Sequence, residues 1–186
     1  MTMKNQILLI IISLTLLNCV NVSRKDKNHF QTFVDQLKPI TTPLIFNSRG
    51  SYSFNSQPLK DSIFFKQIQK KHDGFILFGL LFKTKEFVAI LGNLPTDIGS
   101  PFIITFDKTG QELDSKLVYE NVIGDMGIYT DNFVTINPDF RIELIDSTIR
   151  RKINSDGSDE IPGTDSLTVK FKKYKIDHNG KFIRTE

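Results

Sequence analysis

Apolar positions fall along the chain in three rhythms. Residues Ile7 to Leu17 run apolar with only Ser13 and Thr15 breaking them. From Phe30 the spacing changes. Phe30, Phe33, Val34 and Leu37 recur at i, i+3, i+4 and i+7, one face of a 3.6-residue period. They predict an amphipathic helix, capped by Asn28 and stopped by Pro39. The stretch 41–58 mixes Pro, Asn, Ser and Gly with Leu44, Phe46, Tyr52 and Phe54, and reads as irregular chain with one short strand. Asp61 to Lys71 fits a second, short helix that carries Ile63, Phe64 and Ile68 inward.

From Gly74 onward the period falls to two. Phe75 to Phe82 is apolar without interruption, as expected of a central strand covered on both faces. Lys83-Thr84-Lys85 turns the chain, and Phe87 to Leu91 returns as the second arm of a hairpin. Phe102 to Phe106 is followed by Asp107-Lys108-Thr109-Gly110, which places Gly where a positive φ is wanted, and Leu113, Leu117 and Tyr119 continue beyond it. Phe133 to Ile136 and Phe140 to Ile145 bracket the turn Asn137-Pro138-Asp139. Phe140, Ile142 and Leu144 there alternate with Arg141 and Glu143, giving one buried and one wet face. A polar loop, Asn154 to Thr164, leads to a last hairpin, Leu167 to Asp177 and Lys181 to Arg184, turned by His178-Asn179-Gly180. Val169 and Phe171 share one phase while Tyr174 and Ile176 share the other, and a bulge near Lys172-Lys173 would reconcile them. The segments 104–110 and 174–180 echo each other as two hairpins with the same turn chemistry. The architecture expected is α+β, with an N-terminal helix or two packed on a mostly antiparallel, hairpin-rich sheet of about seven to nine strands.

The first apolar run is too short to cross a bilayer, which takes roughly 20 residues. It matches the roughly 7–15-residue core of a secretory signal, with Lys4 as its positive flank. The single cysteine of the chain, Cys19, stands just past it. Leu16-Leu17-Asn18-Cys19 resembles the lipobox of bacterial lipoproteins, with Asn18 where Gly, Ala or Ser is usual. That resemblance implies that Cys19 is acylated and becomes the first mature residue. The alternatives are an ordinary cleaved signal with an incidental cysteine, or an uncleaved anchor. The chain then divides into a signal over 1–18, a polar tether over 19–27 and one globular domain over 28–186.

No second cysteine exists to make a disulfide or a thiolate metal site, so the domain rests on its core. Sixteen Phe against four Tyr and no Trp supply the aromatic part of it. Lys4 would leave with the signal, bringing the formal charge of +3 down by one, a balance that points to neither nucleic acid nor an acidic surface.

Catalytic patterns do not emerge. The chain has no Gly-x-Ser-x-Gly, no His-Glu-x-x-His and no Gly-rich phosphate loop, and it calls for no cofactor. His29, His72 and His178 read as solvated residues far apart in sequence. Asn154-Ser155-Asp156-Gly157-Ser158-Asp159-Glu160 has a calcium-loop core, but Lys152 holds the first ligand position and Gly163 the last. Asp107, Asp125, Asp131, Asp139 and Asp177 flank strands, where aspartates cap their own turns, so no catalytic or metal residue is assigned. Lys170 to Lys175 reads as protection of a sheet edge, with an anionic ligand as the alternative.

Taken together, the lipobox, the Phe-rich helix ending in Lys38-Pro39 with Thr42-Pro43-Leu44 after it, the segment Thr105 to Ser115 and the terminal Tyr174 to Phe182 resemble a group of small uncharacterised lipoproteins from Bacteroidetes-type bacteria. The resemblance implies an envelope address and a compact β-rich fold, and no activity. Val20 after the cysteine, and the lack of an acidic run there, favour the periplasmic face of the outer membrane. The expected function is a non-catalytic binding or assembly role at the membrane surface, with the membrane and an envelope protein as partners and no nucleic acid. Two alternatives stay open. One is a small periplasmic hydrolase or transferase with a site assembled only in three dimensions. The other is a carrier of a small apolar ligand in a Phe-lined cavity inside the sheet.

Overall fold

The apolar stripe that begins at Phe30 forms a short helix, α1, over residues 29–35, and Phe30, Phe33, Val34 and Leu37 are all buried. The computed structural model describes residues 29–49, 56, 58–59, 62–95, 99–119 and 124–186. The signal, the tether, Cys19, the Asn28 cap, Asp61 and the apolar pair Tyr52 and Phe54 lie outside the described residues.

After α1 the chain gives strand β1 (Leu44–Asn47) and then a second helix, α2 (Ile63–Lys71). Ser62 begins α2 by accepting a hydrogen bond from the Phe65 amide at 2.9 Å, which satisfies one orphan donor of the first turn. Phe64 and Ile68 face inward as expected, but Ile63 is exposed. At 100° per residue Ile63 lies off the arc that Phe64 and Ile68 share, so its apolar character does not turn it inward.

Nine further strands follow: β2 (Ile76–Lys83), β3 (Val88–Leu94), β4 (Ser100–Phe106), β5 (Glu112–Leu117), β6 (Gly124–Asp125), β7 (Ile128–Ile136), β8 (Arg141–Arg150), β9 (Ser166–Ile176) and β10 (Phe182–Arg184). The fold is mostly antiparallel sheet with two short helices, α+β in the broad sense. It departs from the expectation in two ways. The helices are few and short and do not form one N-terminal unit, since β1 comes between them in the chain. The strands also form two sheets, one ordered β2-β3-β4-β5 and one ordered β1-β7-β8-β9-β10 with β6 beside β7.

Burial shows how the sheets are layered. Ala89, Leu91 and Ile103 share a cluster with Val134, Ile136, Ile142, Leu144 and Ile176 of the other sheet. The alternate residues Val88, Ile90, Phe102, Ile104 and Phe106 share a second cluster with Phe30, Phe33, Phe64 and Ile68 of the helices. The four-stranded sheet is therefore covered on both faces, and β3 and β4 are its inner strands. This corrects the reading of residues 75–82 as the central strand. The β2 strand lies at the sheet edge, where Pro39 makes a parallel bridge to Leu80 and the Ile40 amide donates to the Leu80 carbonyl at 2.8 Å. An unbroken apolar run reports cover on both faces, which an edge strand can also have, and says nothing of strand order.

The β8–β9 ladder runs from Arg141↔Lys175 to Arg150↔Ser166 without a register shift, so the bulge expected near Lys172-Lys173 is absent. No bulge is needed because the two apolar phases of β9 belong to opposite faces. Tyr174 and Ile176 turn toward the core between the sheets, and Leu167, Val169 and Phe171 turn outward.

The echo between two hairpins extends to a third. Asp107–Gly110, Asn137–Phe140 and Asp177–Gly180 are closed alike, by Gly110 N to Asp107 O at 3.2 Å, Phe140 N to Asn137 O at 3.1 Å and Gly180 N to Asp177 O at 3.0 Å. The fourth residue of each has positive φ: +90°, +70° and +74°. A Cβ at Gly110 would lie 2.8 Å from Phe30 and one at Gly180 2.6 Å from Leu113, so two of the turns take glycine. The third carries Phe140, whose ring enters the core beside Phe82 and Phe87.

Candidate functional site

Three places gather side chains that could act on something outside the chain. The first is the base of the polar loop. Arg151, just past β8, donates to Asp165 through Nε at 2.6 Å and Nη2 at 3.2 Å, and to Glu160 through Nη1 at 2.9 Å. Glu160 also accepts from the Gly127 amide at 2.8 Å and from the Tyr129 hydroxyl. These donors, Tyr129 first, hold the Glu160 carboxyl below the ordinary carboxylate range, and Arg151 does the same for Asp165. The Tyr129 phenol is pushed up by the carboxylate it serves. A cleft of about 230 Å³ opens beside Arg151, Glu160 and Asp165. Every charge in it has a protein partner of opposite sign, so the cluster staples the two ends of the loop.

The second is a cleft of about 210 Å³ between α2 and the β4–β5 turn, walled by Phe64, Ile68, Phe106, Lys71 and Glu112. At its rim Glu112 Oε2 lies 2.9 Å from both His72 Nε2 and Lys71 Nζ. Burial opposes the charge on Glu112, but the hydrogen bonds from His72 and Lys71 outweigh it and hold the carboxyl below its ordinary value. A carboxylate so stabilised is a weak proton acceptor. The His72 ring also packs against Phe102, with centroids 5.0 Å apart.

The third is a face. On the outer side of the six-stranded sheet, Phe133, Ile145 and Phe171 stand in one register row, and Tyr129, Ile149 and Leu167 stand in another. Val169 lies between the rows on β9, opposite Ser147. Tyr129, Phe133, Leu167, Val169 and Phe171 are all exposed. An antiparallel sheet over a core normally keeps that face polar, and contiguous exposed apolar area marks interaction surfaces.

His29 sits in α1 and His178 at a hairpin tip. His72 is no solvated histidine, being paired with Glu112. Asp107 accepts from the Thr109 and Gln111 amides at 2.7 and 2.9 Å, and Asp177 from the Asn179 and Lys181 amides at 2.9 and 2.8 Å, each capping its own turn. Asp125 accepts from the Met126 amide, Asp131 pairs with Arg49, and Asp139 pairs with Arg141. In the calcium-like loop, Asn154 Oδ1 accepts from the Ser158 and Asp159 amides and Asp156 Oδ1 from the Ser158 amide and hydroxyl. Its oxygens are thus turned to the loop's own backbone. Among the described residues no group of three or more His, Cys, Asp or Glu is placed to hold a metal ion.

The lysines of β9 divide between faces. Lys172 Nζ lies 3.1 Å from Asp146 Oδ2, whose side chain is buried, though the contact is not aligned as a hydrogen bond. Lys173 reaches Glu186 at 2.7 Å. Neither the Asp146–Lys172 pair nor the His72–Glu112 pair has a sequence signal, because each joins residues on separate elements. The Arg151–Asp165 pair does have one, since opposite charges flank a polar loop at its two ends.

No family model, curated protein or solved structure matches the chain.

Proposed function

We propose that this is a lipid-anchored protein of the bacterial cell envelope, acylated at Cys19, whose domain binds or assembles with another protein at the membrane surface and does not catalyse a reaction. The observation that carries the binding half is the apolar outer face of the six-stranded sheet. It exposes aromatic and aliphatic side chains that contribute nothing to the two core clusters, while the charged clusters are matched within the chain. The anchoring half rests on the apolar run ending in Leu16-Leu17-Asn18-Cys19. Val20 after the cysteine favours the periplasmic face of the outer membrane.

The enzymatic alternative called for a deep pocket lined by turn carboxylates and a histidine. The His72–Glu112 pair offers instead one acid already held as a carboxylate by hydrogen bonds from His72 and Lys71. The carrier alternative called for a Phe-lined cavity inside the sheet. The space between the sheets is filled by Leu91, Ile103, Ile136 and Ile142, all fully buried.

The test is fractionation of the full-length chain in its native host, with and without Cys19→Ser. The variant should move from the membrane to the soluble fraction. A variant that stays membrane-bound at the same mature mass refutes acylation. Crosslinking in those membranes then tests the surface, because Phe133→Lys should lose a protein partner that the wild-type chain retains.

A further inference from the structure

Among the described residues, the β9 strand is paired along only part of its outer side. Its partner there, β10, covers Tyr174 to Ile176, and the chain end reaches Lys173 through Thr185 N to Lys173 O at 2.8 Å and Lys173 N to Glu186 O at 3.2 Å. From Ser166 to Lys172 no described strand lies alongside. Those two bonds also set the phase. Lys173 turns both its backbone groups outward, and the ladder to β8 is regular, so by alternation Leu167, Val169 and Phe171 turn their N–H and C=O groups to the open edge. The same three residues carry the apolar side chains of the outer face, exposed by 64 %, 42 % and 63 %. An edge that offers both backbone groups and apolar side chains is a template for another strand.

We infer that the strand it takes is β9 of a second copy, running antiparallel about a two-fold axis at Val169. The sequence of the edge selects that occupant and register. With Val169 opposite Val169, Leu167 meets the second copy's Phe171, so each outward apolar residue is opposed by an apolar one. On the other face Lys170 falls opposite Thr168, and Lys172 opposite Ser166, so no lysine meets a lysine. Moving the axis to Thr168 puts Phe171 opposite Asp165, and moving it to Lys170 sets two lysines face to face. The three outward residues of each copy supply about six N–H···O bonds across the seam. The row Phe133–Ile145–Phe171 then continues into Leu167, Ile149 and Tyr129 of the second copy, one apolar band across both sheets. A two-fold contact of this kind is self-limiting, since each β9 edge is used once. The pairing does not depend on Cys19 and would stand if the chain were never acylated.

The test uses the full-length chain in a mild non-ionic detergent, sedimented up to about 100 µM, a concentration suited to a contact of modest area. The wild-type chain should form a dimer. Val169→Lys sets two charges face to face on the axis and should weaken it by about tenfold or more, with an unchanged circular dichroism spectrum. Val169→Cys provides the second measurement. Paired residues on the axis have Cα atoms about 5.5 Å apart, within disulfide range, so mild oxidation should link 169 to 169. The wild-type chain, with Cys19 alone, and Asn179→Cys at the exposed hairpin tip should not form that link. A wild-type chain that stays monomeric, or a dimer that Val169→Lys leaves intact and Val169→Cys fails to link, overturns the inference.

Discussion

Replacing Phe140 separates two opposed effects, because the residue is both strained and packed. Its φ of +70° places it in the left-handed region. There an L side chain costs about 1–2 kcal/mol. Against this, its ring lies edge-on to Phe82 at 4.8 Å and near Phe87 at 5.7 Å, in the core between the sheets. Removing a fully buried Phe costs about 3–5 kcal/mol, and this half-buried ring should cost about 2–3. Phe140→Ala loses the packing and keeps the strain, so it should destabilise by about 2–3 kcal/mol. Phe140→Gly loses the same packing but relaxes the backbone. After the entropy that glycine adds to the unfolded chain, it should recover about 1 kcal/mol relative to alanine.

The assay is equilibrium urea unfolding followed by far-ultraviolet circular dichroism, since the chain has no Trp to serve as a fluorescent probe. The expected order is wild type, then glycine, then alanine, with unchanged slopes. An alanine variant at least as stable as the glycine variant refutes the claim that the turn is strained. A glycine variant more stable than wild type refutes the weight given to the ring.

Three other outcomes are expected. Thr105 is fully buried, and its hydroxyl donates to the Gly180 carbonyl of the opposite sheet at 2.6 Å. Thr105→Val should leave that carbonyl unpaired and lower the urea-derived stability by about 1–3 kcal/mol. Ser62→Ala removes the cap of α2 and should cost about 1 kcal/mol in the same assay. The depressed Glu112 carboxyl contributes stability that is full above its unfolded value near 4.5 and lost as pH falls through its lower folded value. Thermal midpoints measured from neutral pH downward should therefore decline more steeply below that point in the wild type than in His72→Gln, and parallel curves would count against the pair.

Much of the local structure was legible. The α1 face, a short helix ending at Lys71, and the turns at Asp107, Asn137 and Asp177 follow from spacing and turn chemistry, which act within a few residues. What could not be read is which neighbours a strand takes. Phe75 to Phe82 and Val88 to Leu91 look alike as apolar runs, yet β2 ends at an edge and β3 lies inside. In β9 the alternation was plain, but it reports two faces without saying which is inside. Leu167, Val169 and Phe171 look like core residues and are exposed, whereas Lys172 looks like a surface residue and lies beside buried Asp146.

That inversion bears on where the function lies. A polar cluster in a protein of this size has two uses: holding its own chain together or holding something else. Here Arg151, Glu160 and Asp165 neutralise one another across the loop ends, and Glu112 is paired with Lys71 and hydrogen-bonded to His72, so each acid has its partner within the chain. The apolar outer face has no such internal account. Phe171 stands 63 % exposed, so charging it should leave stability within about 0.5 kcal/mol, whereas a truncation at Ile103 in the core should cost about 2–5. A side chain whose removal costs the fold nothing, yet which keeps a sheet face apolar beside an open edge, is accounted for by what it meets outside the chain. The stability of Phe171→Lys set against its loss of association is the comparison that decides this.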